Sequence, residues 1–422
     1  MHQESDISLN RTTLSNGLRV VHSRDASTAM VALNILYETG ARDETPALTG
    51  LAHLFEHNFF GGSQNVPDFD KVITEAGGED NAWTGNDFTN YYEVAPAHNA
   101  ETLFYLESDR MLAPLFPESV LDVQRSVVVE EFKQQCLNRP YGDMGHHLRR
   151  MVYGGSHPYS WPVIGLDFSH IERAVRSDLM QWFREHYSPA NAVLAVTGNI
   201  TAEKAFALAQ KWFGPIPGRP VPQRIIPDVA PLTPMAPKTV YGRVPATSVT
   251  VAYLMDGYGT GQYYAADAFT DLLSDGKASA YYRRLLVGGD GIFAEADASI
   301  SGSEHQGMLM LTGRLADEGT DPMHAVRLLV EQAQTVIKEG VSDHDLQRIK
   351  NKRRSMTILG NMNYLSRAQN IAMSEMHGEN PTDALDRYLA LSADDITSTA
   401  RKLLDTNPAV LIYRPEKVSA EQ

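Results

Sequence analysis

Cysteine is nearly missing from this sequence: Cys136 is the only one in 422 residues. It can neither close an internal disulfide nor build a cysteine-rich zinc site or an iron–sulfur cluster. Excess positive charge is missing too. Lys and Arg total 37 against 52 Asp and Glu, a formal charge of −15, which argues against a nucleic-acid partner, whose binding rests on cations meeting phosphates. No stretch reaches the roughly 18 consecutive apolar residues of a membrane span, and no Gly-rich phosphate loop stands out. The start, Met1 to Ser8, lacks the basic end and apolar run of a secretory signal. A cytoplasmic location is expected, or a periplasmic one if a leader has been removed. The remaining composition, 43% hydrophobic and 21% charged, is that of a globular chain able to offset its ordering entropy by burial. The length predicts two to three domains, each with its own core.

Proline marks a seam. Pro215, Pro217, Pro220, Pro222, Pro227, Pro231, Pro234 and Pro237 crowd residues 214–237, where fixed φ and missing amide donors disfavour helix and central strand. The segment is expected to be an extended connector between domains at 1–213 and 238–422. The two sides begin alike. Asn16-Gly17 is a turn signal before the β-rich Leu18–His22. Strand candidates start at Ala29 and Thr247, and helix candidates follow at Ala47 and Ala265, 18 residues later in both halves. Long helical patterns cover Ile171–Tyr187 and Met323–Lys338. Strands and helices come in mixed order without regular βαβ alternation, which predicts an α+β fold of two similar domains, each a mainly antiparallel sheet packed with helices.

The chemistry concentrates in Thr49 to Gly62, which reads as a short helix with Thr49 as N-cap and Gly61-Gly62 as its stop. At helical spacing Leu51, Leu54, Phe55 and Phe59 share one face, while His53, Glu56 and His57 share the other. Histidines at i and i+4 can converge on one metal ion, and Glu56 is placed to deprotonate a metal-activated water. The same residues also suit a solvated polar face; their shared side above an apolar stripe, and a third ligand if one appears, favour the metal reading. Elsewhere, adjacent His146-His147 read as surface residues and His157-Pro-Tyr-Ser-Trp-Pro162 as a shaped loop. Arg353-Arg354 with Lys350 and Lys352 reads as a solvated basic face.

His-x-x-Glu-His resembles the inverted zinc motif of the pitrilysin/insulinase metallopeptidases, and the similarity runs on. Asn81-Ala82-Trp83-Thr84 with Asp87 to Tyr92 resembles the family's substrate-binding edge strand, which takes the peptide backbone by β-augmentation. Leu106–Met111, Pro114–Phe116, Arg125–Glu131, Tyr187–Asn191 and Thr197–Asn199 also follow the family pattern. The resemblance implies one zinc per chain, held by His53, His57 and Glu131. The last lies 74 residues beyond His57 and six beyond Arg125. Neighbouring Glu130 would point about 100° away on a helix. Where relatives carry a glutamate seven residues before the ligand, this chain has Gln124, which can bond a ligand but adds no charge.

A second departure lies in the other half. Many relatives carry an arginine and a tyrosine that bind the substrate carbonyl and oxyanion. Aligning Tyr282 with the family's tyrosine puts Leu286 and Phe293 at those two positions, and neither can donate a hydrogen bond. The resemblance therefore implies a zinc endopeptidase subunit acting on peptides or unfolded segments. It also implies half of a clamshell, paired as a homo- or heterodimer with a related chain that supplies the Arg/Tyr pair. Alternatives are a metal-loaded peptide-binding subunit with little turnover, or a structural subunit. Arg283, Arg284, Tyr281 and Tyr282 are the residues that could substitute for the pair within this chain.

Overall fold

Six segments of extended backbone, several rich in β-branched and aromatic residues, build the first sheet. They are β1 (Asn10–Thr13), β2 (Arg19–Arg24), β3 (Met30–Tyr37), β4 (Glu79–Thr84), β5 (Thr89–Pro96) and β6 (Ala192–Gly198), in the computed structural model, which describes residues 8–221 and 224–416. The order is β1-β2-β6-β3-β5-β4. All neighbours are antiparallel except β2 with β6. β3 and β6 are buried almost throughout, as central strands covered on both faces must be. β4 alternates exposed and half-buried and ends the sheet.

The second sheet contains β7 (Lys238–Gly242), β8 (Ser248–Asp256), β9 (Phe293–Ser301), β10 (Gln306–Leu315) and β11 (Ala409–Pro415). Its order is β7-β11-β8-β10-β9, with β7 and β11 the parallel pair. Taken in chain order, β7 to β11 repeat the placement of β2 to β6 strand for strand, parallel pair included. The duplicated unit expected from the sequence is therefore present in the topology. The equal 18-residue offsets are not: helices start at Leu51 and Gly261, 21 and 13 residues after β3 and β8 begin. The Ile171–Tyr187 pattern also divides, into helices Phe168–Arg173 and Arg176–His186.

The chain forms two compact units, but not by a single cut. The first comprises Met1–Phe132, Trp161–Ile225 and Met356–Asp383; the second comprises Lys133–Ser160, Ile226–Ser355 and Ala384–Gln422. This corrects the linear division at 1–213 and 238–422. The physical reason is the two-sided sheet of the first unit. Helix Tyr364–Met376 lays Ala368, Ile371 and Ala372 on Val21, Ala32, Leu36, Phe88, Val193 and Ala195, and so covers the face that local helices leave open. The Pro-rich segment carries no helix or strand among its described residues; Pro222 and residues 1–7 lie outside them. Among the described residues no helix is long and apolar enough to cross a membrane.

Candidate active site

Four helices of the first unit carry or support the site: α1 (Leu51–Asn58), α2 (Phe69–Glu75), α3 (Ala100–Leu112) and α4 (Glu118–Phe132). On α1, Leu54 and Phe55 are fully buried and Leu51 nearly so. Phe55, with Phe59 just beyond the helix, stacks against Tyr187, and Phe59 also meets Tyr37 and Tyr91 from β3 and β5. These rings fix the helix to the sheet, so the opposite face, with His53 and His57, stays partly open.

The start of α1 is held differently from the sequence expectation. Gly50, not Thr49, is the cap residue, with φ +86°, a left-handed conformation that favours glycine. The open amides of Gly50 and Ala52 donate to Glu44 Oε2 and Oε1 at 2.9 and 2.8 Å. Thr49 is instead committed elsewhere: its Oγ1 accepts from Leu166 N, and its N–H donates to His170 Nδ1. Among the described residues Glu44 has no positive partner, and burial pushes its carboxyl up to about 8 against the pull of those amides. Below the far end, Arg110 of α3 is buried with Glu93 and Glu107 and lies under the rings of Phe59, Phe60, Phe69 and Tyr91.

α4 brings the third group. Arg125 donates to the carbonyls of Glu172 and Ala174, which pins α4 to the end of a neighbouring helix. Glu131 then points at α1. Its Oε2 lies 3.6 Å from His53 Nε2 and 3.7 Å from His57 Nε2, and the two nitrogens are 3.2 Å apart. Tetrahedral ligands about 2.0–2.2 Å from zinc sit about 3.3–3.6 Å from one another, so this donor set fits such an ion. Two further observations agree. Glu131 Oε2 is buried without a hydrogen-bond partner among the described residues. His57 Nδ1 donates to Gln124 Oε1 at 3.1 Å, which leaves Nε2 as the bare, ligating nitrogen. Burial, with His57 adding, lowers His53 to about 3 and keeps it neutral. Its Nδ1 has no hydrogen-bond partner among the described residues. Among the described residues this is the only group of three or more His, Cys, Asp or Glu side chains so converged.

Glu56 stands beside the triad, buried, with burial pushing its carboxyl up to about 7. The Thr84 hydroxyl opposes that shift and the Glu131 charge adds to it. Thr84 Oγ1 donates to Glu56 Oε2. This contact between the last residue of β4 and α1 was not foreseen from the sequence, which groups Asn81 to Thr84 as equivalent docking residues. They are not equivalent. Ala82 and Thr84 stand opposite Tyr91 and Thr89, on the face that meets α1, whereas Asn81 and Trp83 point to the other side.

In the second unit Phe293 is buried in the core, and Leu286 packs against it. Of the possible substitutes, Tyr281 is fully buried with its hydroxyl on Leu329 O, and Arg284 pairs with Glu339 at 2.5 Å. Two surface readings need correction. His147 is half-buried, bonded by Lys238 Nζ at Nδ1 and to Asp143 at Nε2. Arg353 pairs with Asp267 over the ring of Tyr388, and Lys352 pairs with Asp275. His157 does shape its loop, with Nδ1 accepting from Tyr159 N and Nε2 bonded to Pro227 O.

The chain is similar in sequence and in fold to known proteins. The family model described as Insulinase (Peptidase family M16) matches residues 19–142, and that described as Peptidase M16 inactive domain matches residues 173–353. Zinc protease PqqE of Helicobacter pylori is 28% identical over 68% of this chain and 66% of its own length. Mitochondrial-processing peptidase subunit beta of Saccharomyces cerevisiae is 24% identical over 94% of this chain and 89% of its own. The crystal structure of a protease from Helicobacter pylori superposes with a TM-score of 0.89 at 23% identity, covering 97% of this chain and 99% of that one. With both M16 descriptions matched, over residues 19–142 and 173–353, the chain belongs to the insulinase-type, M16 family of metallopeptidases.

Proposed function

We propose that this chain is a zinc-dependent endopeptidase subunit that hydrolyses peptides or unfolded segments. The observation that carries the reading is the convergence of His53, His57 and Glu131 beside a buried Glu56. His53 and His57 would offer their Nε2 atoms and Glu131 its Oε2 to one zinc. Bound zinc supplies Lewis acidity, which makes a water nucleophilic at neutral pH and polarises a carbonyl. Glu56 Oε2 is held by Thr84, so Oε1 is the atom that takes a proton from the water and later returns one to the leaving amine. A carboxyl lifted toward neutrality suits both transfers. β4, which among the described residues pairs only with β5, would hold the substrate as an added strand.

A second reading, a metal-loaded peptide-binding subunit with little turnover alone, is favoured by the apolar Leu286 and Phe293. It places the oxyanion donors on a partner, as a related subunit pair would. Hydrolysis of a quenched unstructured peptide decides between them. Turnover by the pure chain that chelator abolishes and zinc restores, with Glu56→Gln inert yet still loading one zinc, supports the first. Zinc loading with turnover only after a related Arg/Tyr-bearing chain is added supports the second. Turnover indifferent to chelator overturns both.

A further inference from the structure

β4 has two functions to serve at its last residue. Ala82 N–H donates to Asn81 Oδ1 at 2.8 Å rather than to β5, and so faces the open edge of the sheet. Backbone direction alternates along an antiparallel strand, so Thr84, two residues on, presents its own N–H and C=O to the same edge. Gly85 N, one residue further, turns inward to Phe88 O, as that alternation requires. The Thr84 side chain lies on the α1 face of the sheet and donates to Glu56 Oε2. One residue therefore touches, through its backbone, the edge where a strand can add and, through its hydroxyl, the carboxylate beside the metal triad.

We infer that Thr84 is a positioning residue that couples strand docking to Glu56: its hydroxyl fixes the carboxylate, and its open-edge backbone registers the added strand against that carboxylate. The inference rests on the peptidase reading above. It requires a hydroxyl, because the donor has to reach a carboxylate oxygen while the backbone stays on the edge. Serine meets that requirement and valine, of nearly the same shape as threonine, does not. Among the described residues no other donor reaches Glu56 Oε2, so loss of the hydroxyl leaves a buried carboxylate free to change rotamer. Misplacement of a reacting group by about 1 Å can reduce the rate about 100-fold.

The test uses the full chain with Thr84→Ser and Thr84→Val, both checked for cooperative unfolding and for zinc loading equal to the parent. Thr84→Val is expected to lower kcat about 10- to 100-fold, with KM within about twofold of the parent. Thr84→Ser is expected to recover kcat to within about threefold. A readout independent of turnover is the side-chain carboxyl carbon signal of Glu56 in protein labelled with ¹³C-glutamate, assigned by its disappearance in Glu56→Gln. It should move in Thr84→Val and stay in Thr84→Ser. An unchanged kcat in Thr84→Val, a loss confined to KM, or failure of serine to rescue overturns the inference. If the parent chain proves inert, the peptidase reading fails and the catalytic part of the inference fails with it. The carboxyl signal then decides by itself whether Thr84 holds Glu56.

Discussion

Gln124 offers the sharpest quantitative handle on the metal centre. Its Oε1 accepts the Nδ1–H of His57 at 3.1 Å, fixing both the ring orientation and the tautomer that leaves Nε2 bare. Partners of this kind typically contribute 10- to 100-fold to metal affinity, about 1.4–2.7 kcal/mol. Gln124 is half-buried, so the lower half of that range applies, and Gln124→Ala should weaken zinc binding about 10- to 30-fold. Gln124→Glu should act in the opposite direction. A neutral hydrogen bond nets about 1 kcal/mol and one to a charged group about 1.5–3, so the added charge should tighten binding by about 0.5–2 kcal/mol, or about 2- to 30-fold. The assay is competition against a chromophoric chelator at fixed pH and salt, run on parent, alanine and glutamate forms. An alanine variant within twofold of the parent would show that His57 needs no orienting partner. A glutamate variant that binds zinc more weakly than the parent would reverse the sign and refute the reasoning.

Three other outcomes follow from the same geometry. Glu44 titrates from about 4.5 unfolded to about 8 folded, so its contribution is full below pH 4.5 and is lost as pH rises through 8, up to about 5 kcal/mol. Urea unfolding at pH 5, 7 and 9 should show this decline, flattened in Glu44→Gln; an equal slope in the variant would contradict it. Ala82→Pro removes an open-edge amide and should raise KM for extended peptides, whereas unchanged cleavage by the folded variant would exclude that stretch as the docking edge. Arg110→Leu leaves Glu93 and Glu107 buried without their cation and should cost about 3–5 kcal/mol in unfolding free energy, largely restored when both glutamates are also made apolar. A single variant as stable as the parent would contradict it.

The legible parts of the site were those written in local periodicity. A 3.6-residue repeat separated Leu54 and Phe55 from His53, Glu56 and His57 on α1, and the same repeat distinguished Glu131 from Glu130 once the family resemblance had pointed to that helix. What stayed hidden came from elsewhere in the chain. Thr49 has the right side chain and spacing for a cap, but Glu44, six residues before Gly50, takes the amides, and no local motif encodes that reach. Thr84 could be placed on an edge strand, but its bond to Glu56 depends on which face of β4 meets α1, a matter of sheet register. The same holds for His147, whose partner Lys238 is 91 residues away. Leu286 and Phe293 read correctly as non-donors because residue type alone decides it. The domain boundary failed for a different reason: the pattern of Tyr364–Met376 declares an apolar stripe and does not say which sheet that stripe will cover.

That helix has a consequence for any attempt to divide the protein. A fragment ending in the Pro-rich segment keeps every candidate metal ligand and the whole six-stranded sheet. It loses the cover over Val21, Ala32, Leu36, Phe88, Val193 and Ala195, and with it the bond from Thr197 Oγ1 to Tyr364 O. Such an open apolar face drives self-association, so the N-terminal half expressed by itself should come out insoluble, whereas supplying the C-terminal half as a separate polypeptide should bring it back into solution. For the same reason, shuffling halves between relatives at this seam exchanges a piece of the first unit's core along with the second unit. Hybrids of that kind should survive only where the incoming helix matches the sheet it has to cover.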